Sequence, residues 1–325
     1  MSQTLNQKAN DRVNDTEIEL VLGDYRAVLA PYGASMRRFF SVDTTGQKKD
    51  YLWGYSSASA KQGGQGDVLI PFPGRVPDGQ YTFGGKIHQL ECNDKESHGA
   101  IHGFLRKEEW SVLHRDAVSV EFGYRLLGSN FVSRGYPFSV DFKLAYRLVP
   151  AGLTCQFSAH NIGQGPAPVG VGFHSYFKVG TDLIDQAQLE VPAEDRLELD
   201  STLQATGRVL HIKGTAFDFT QLKTIGSQRL NTCYASLQAG KDGVVRTRLR
   251  NPSSSCELEI WQDEQFPYLV VYTGDALDAN SARTSIAIEP MTCGINALNR
   301  PEWGLKVLKS GEEWNGKYGF RVHAP

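Results

Sequence analysis

SVDFKLAYRLVPAGLTCQFSA, residues 139–159, alternates apolar and polar side chains on both sides of one turn. Val140, Phe142, Leu144, Tyr146 and Leu148 form one series; after Pro150-Ala151-Gly152 it resumes at Leu153, Cys155, Phe157 and Ala159. Period two sends successive side chains to opposite faces, as a half-buried antiparallel strand requires. The stretch predicts a β-hairpin. Working outward, SVEFGYRLL (119–127) repeats the pattern through Val120, Phe122, Tyr124 and Leu126, and CELEIW and YLVVYTG carry it through residues 256–274. No apolar stripe at helical spacing runs for even a dozen residues.

Thirty-three glycines and fourteen prolines in 325 residues supply frequent turns, among them Pro77-Asp78-Gly79, Phe83-Gly84-Gly85 and Asn161-Ile162-Gly163. Many short strands between such turns predict an all-β sandwich or barrel of antiparallel strands. No low-complexity linker divides the chain, so residues 16–325 read as one domain behind a polar, flexible tail over residues 1–15.

The balance of 34 basic and 36 acidic residues gives a net charge of −2 and no case for nucleic acid. No apolar run approaches the roughly 18 residues of a membrane span, and the polar start carries no secretory signal. Five scattered cysteines without a CxxC fit reduced thiols in a cytoplasmic protein better than disulfides or a zinc site. A monomer or homodimer is expected.

Four places offer chemistry. HGAIHGF (98–104) sets His98 and His102 four apart among glycines. On a helix that spacing chelates a metal, but Gly99 and Gly103 disfavour a helix. On a strand it spans about 13 Å, too far for two ligands at about 2 Å from one ion, and only a loop could still fold the two together. No metal is expected, since no ligand cluster shows sensible spacing. In VGVGFHSYF (169–177), His174 sits among Phe173, Tyr176 and Phe177, where a hydrogen-bonded core histidine is the bland alternative. In SIAIEPMTCGINALN (285–299), Ile286 and Ile288 take one face of a strand, leaving Glu289 on the other. A carboxylate there needs a partner or a function, because burying it unpaired is costly. Arg75, in IPFPGRVPDG (70–79), either braces its turn or offers a fork of donors to hydroxyls.

Taken in order, these stretches resemble a known set. PFPGRVPDGQYTFGGKIHQL, AIHGF with Trp110, RGYPF, GVGFHSYF, VVYTG, the IEP glutamate and a closing KSGEEW are similar to the aldose 1-epimerase (galactose mutarotase) family, from about Gly33 to the C-terminus. The resemblance implies a β-supersandwich whose cleft binds a free sugar and interconverts its α and β anomers. It implies Glu289 as general base, His174 as general acid, His102 as the second active-site histidine and Arg75 as a sugar-binding arginine. The glycines beside His102 would leave room for the sugar, and His98 has no role in the family pattern. Glu289 and His174 are expected to converge from opposite sides of the cleft. Neither metal nor organic cofactor is implied. Aromatic faces of Tyr176, Phe173 or Trp110 could pack on the sugar, although core packing suits each.

Two departures bear on the substrate. The family commonly has asparagine before its arginine, where this chain has Gly74. Where the family has an aspartate that holds a sugar hydroxyl, LNTCYASL (230–237) offers Asn231. Asparagine keeps hydrogen bonding and loses the charge. The acid and base are kept while the gripping groups change, which points to a sugar other than galactose. Two other readings stand beside the epimerase: a non-catalytic carbohydrate-binding or regulatory protein on the same fold, and a sugar hydrolase or lyase, for which no paired-carboxylate signature exists.

Overall fold

The structure is a computed structural model describing residues 17–94 and 96–323; the tail expected over residues 1–15 lies outside the described residues. The hairpin forms as its alternation requires. Val140–Val149 and Gly152–Asn161 pair antiparallel from Val149↔Gly152 to Val140↔Asn161, so the turn tightens to Pro150-Ala151. The predicted apolar series of both strands is buried.

The hairpin sits inside a nine-stranded sheet, joined on one side by Ser119–Leu126 and on the other by Glu313–His323. A second, seven-stranded sheet runs in the order Ala205–His211, Ala193–Leu199, Asn231–Leu237, Tyr268–Tyr272, Ile286–Met291, Gly172–Phe177, Asp67–Leu69. All pairings within both sheets are antiparallel. Among the described residues helix is confined to short turns, the α-helical one being Gly128–Phe131. The fold is the expected all-β, antiparallel sandwich.

Inward side chains lock the two sheets together. Phe173 stacks on Tyr318 with centroids 4.2 Å apart, and Phe177 meets Phe320 edge-on at 5.4 Å. Such aromatic pairs add about 0.5–1.5 kcal/mol each beyond their area burial. Phe173 and Phe177 point into this core, so the residues between them, His174 and Tyr176, point out of it. By the same alternation Ile286 and Ile288 join the core while Glu289 faces away. The outer face of the seven-stranded sheet thereby becomes the floor of a cleft.

Candidate active site

The cleft has a volume of about 1120 Å³, and Asn231, Val270, Tyr272, Glu289, His174, Tyr176 and Asp67 lie along its floor. Strand register sets them in two rows. Asn231 pairs with Tyr272, Tyr272 with Ala287, and Ala287 with Tyr176. In the other row Val270 pairs with Glu289 and His174 with Asp67. The register that pairs Gly172 with Met291 and Ser175 with Ile288 puts His174 opposite Glu289. Carboxylate, imidazole and carboxylate thus cross three neighbouring strands.

His174 Nε2 lies 3.3 Å from Glu289 Oε1, and both residues are buried. They do not approach from opposite sides of the cleft, as expected, but stand side by side on adjacent strands. Period-two patterning identifies the face each side chain takes, but not which strands are neighbours. The separation is that of an ion pair; the environment favours an uncharged one. Burial pushes Glu289 up to about 8, opposed by the Arg75 charge and reinforced by Asp67. Burial likewise pushes His174 down to about 4, against the pull of Asp67. At neutral pH the pair therefore holds one transferable proton between carboxylic acid and imidazole.

His102 reaches the pair from the opposing wall. Its ring stands perpendicular to that of His174, with centroids 5.5 Å apart. Gly74 fixes it twice: His102 N–H donates to the Gly74 carbonyl at 3.0 Å, and Gly74 N–H donates to His102 Nδ1 at 3.2 Å. Burial, with the neighbouring cations, keeps the imidazole well below its ordinary pKa. A neutral ring accepting at Nδ1 carries its hydrogen on Nε2, so His102 offers an uncharged donor. The adjoining glycines do not leave room for a sugar, as the sequence suggested. A Cβ on Gly103 would meet the Ile70 carbonyl oxygen at 2.1 Å, and one on Gly99 the Val76 carbonyl oxygen at 2.6 Å. They allow backbone to pack on backbone. At Gly74, Ile295 occupies the space beyond the missing side chain, its Cγ1 3.0 Å from where a Cβ would lie.

Folding creates a ligand cluster that linear spacing does not reveal: His102, His174 and Glu289 bring ligand atoms within 4.8 Å of one another. The hydrogen bonding does not fit a metal. A metal-bound histidine normally donates its outer N–H to an acceptor. Here His102 Nδ1 receives a hydrogen from Gly74, and His174 Nδ1 is buried without a partner among the described residues.

Arg75 lines the cleft, but two of its nitrogens are engaged, Nε with Asp94 at 2.7 Å and Nη2 with Glu96 at 2.9 Å. The arginine is braced by carboxylates, so its fork is not wholly open to hydroxyls. Tyr176 lies beside His174 with centroids 5.1 Å apart, its hydroxyl donating to the Gly63 carbonyl. Asn231 lies at the far side of the floor. His98 is exposed and outside the cleft lining. Phe173 and Trp110 belong to the core, Trp110 donating to the Leu105 carbonyl.

Sequence reasoning missed Asp67, Lys61 and Arg106. Asp67 begins the apolar run DVLI, and Arg106 stands in LRKEE, which reads as a solvated charge run. In the fold, Lys61 and Arg106 both grip buried Asp67, Arg106 at 3.0 Å. Burial alone would raise the Asp67 pKa, but the two cations outweigh it and hold the carboxylate ionised.

The family model described as Aldose 1-epimerase matches residues 17–321. The uncharacterized protein YihR of Escherichia coli is 27% identical over 94% of this chain and 93% of its own. Galactose mutarotase of Mus musculus is 26% identical, with 89% of each chain covered. The solved GalM/aldose epimerase homologue from C. elegans superposes with a TM-score of 0.85 at 20% identity, covering 95% of this chain and 99% of that one. With nearly every described residue inside the family match, and with the all-β fold shared, the chain belongs to the aldose 1-epimerase family.

Proposed function

We propose that the protein is an aldose 1-epimerase, interconverting the α and β anomers of a free aldose by acid–base opening and closing of the ring. The observation that carries this reading is the buried contact between His174 Nε2 and Glu289 Oε1 in an open cleft. Ring opening removes a proton from the anomeric hydroxyl and gives one to the ring oxygen, and both oxygens sit on one carbon. An acid and a base side by side match that demand.

The resting pair supplies the single proton required. Sugar hydroxyls that donate to Glu289 favour its ionised form, moving the proton to His174. Glu289 then takes the anomeric proton while His174 protonates the ring oxygen, and the C1–O5 bond breaks to leave an open-chain aldehyde. The pair is again carboxylic acid plus neutral imidazole. After rotation about C1–C2, the C5 hydroxyl attacks the carbonyl from its other face. Its proton returns to His174, and that of Glu289 goes to the carbonyl oxygen. His102, an uncharged donor, holds a sugar hydroxyl; Arg75 on the wall and Asn231 and Tyr176 on the floor grip the substrate. The five free cysteines suit a cytoplasmic setting.

Polarimetry or NMR of freshly dissolved aldoses tests this. Faster anomer equilibration than in buffer supports it. Binding without acceleration would instead support a carbohydrate-binding protein, and new products a hydrolase or lyase.

A further inference from the structure

The order of groups across the sheet gives the bound sugar a direction. Glu289, His174 and Asp67 occupy consecutive strands, which lie about 4.8 Å apart. With the anomeric hydroxyl at Glu289 and the ring oxygen at His174, the next atoms of the ring continue toward Asp67. Those atoms are C5 and its exocyclic C6 group. This step rests on the acid and base roles proposed above.

At that end stand Lys61 and Arg106, whose side chains are only 12% and 15% exposed, with Asp67 at 5% between them. Lys61 Nζ also lies 3.2 Å from Ser35 Oγ. Arg106 spends Nη1 on Asp67, while its buried Nε has no partner among the described residues. Elsewhere in the described lining the balance differs: Arg75 has two carboxylates, Asp94 and Glu96, and Arg229 has Asp275 at 3.6 Å. Beside His174, two cations share one carboxylate, and exposed Lys107 adds a third charge at the rim. At the opposite end of the floor Asn231 is neutral. The Lys61–Asp67–Arg106 cluster thus carries a net positive charge where C6 points.

We infer that Lys61 and Arg106 form a subsite for an anionic group on C6 of the aldose, an oxyanion that balances the second cation. A neutral hydroxymethyl group would leave that charge uncompensated.

The test is a wild-type panel: anomer exchange of glucose compared with glucose bearing phosphate, carboxylate (glucuronate) or sulfonate at C6. Hydrogen bonds to charged groups predict kcat/KM for at least one anionic sugar exceeding that for glucose by about tenfold or more. The three anions distinguish a tetrahedral from a planar partner. In Arg106→Gln and Lys61→Gln, checked for folding by thermal melting, the charged-to-neutral ratio should fall toward unity. Glucose exchanged as fast as all three anionic sugars would overturn the subsite and leave the epimerase standing. No acceleration of any aldose would overturn the epimerase reading itself, and the subsite with it.

Discussion

His174 Nε2 and Glu289 Oε1 lie 3.3 Å apart on adjacent strands, buried yet open to a cleft. Reaction requires the pair to hold one proton. Below about 4, His174 gains a second proton for the pair; above about 8, Glu289 loses the first. The profile of kcat/KM against pH should be a bell with limbs near those values, which belong to the pair and not to either residue. Stopped-flow polarimetry across pH 3–10 would measure it. A profile flat through pH 9 would show that Glu289 is not titrating in the reaction.

The same burial makes Glu289 a cost to stability. Its folded pKa lies above the ordinary value of 4.5, so the folded protein holds a proton that the unfolded chain releases above that pH. Stability from this group is present at pH 4.5 and drains away as pH rises toward about 8. Glu289→Gln should therefore raise the melting temperature, and by more at pH 8 than at pH 5. Equal shifts at both pH values would contradict the elevated pKa.

Much of this site was legible along the chain. Alternation about Ile288 places Glu289 on the face of its strand opposite the core, and the fold confirms that orientation; His174, legible only as a histidine in apolar company, takes the cleft face as well. What alternation cannot show is strand adjacency. The pair depends on Ile286–Met291 lying beside Gly172–Phe177, a pairing between segments far apart in sequence. The Lys61–Asp67–Arg106 cluster was hidden for the same reason, since its three members come from separate loops and strands. The tie of Arg75 to Asp94 and Glu96 likewise emerges only when the chain turns back on itself.

Arg75 offers a contrast between binding and chemistry. Its charge lines the wall and lies beside Asp94 and Glu96 without touching the His174–Glu289 pair. Arg75→Ala should raise KM by about tenfold or more with a smaller change in kcat, because a grip present throughout the reaction is lost uniformly. A selective collapse of kcat would give Arg75 a part in the transition state.

Metal dependence is open to a direct check. With His102 Nδ1 engaged by Gly74 N–H, the cluster is arranged for protons. Dialysis against EDTA should leave the rate unchanged. Loss of turnover restored by one divalent ion would replace the proton-transfer account.

The most direct measurement is kcat for anomer exchange at saturating sugar, by NMR, in wild type and in Glu289→Gln. Positioned acid–base catalysis is worth about 10² to 10⁴ in rate. The variant should lose at least that order while keeping its fold and its sugar binding, and His174→Asn should lose a similar amount. A Glu289→Gln variant with near wild-type kcat would mean that another residue takes the anomeric proton.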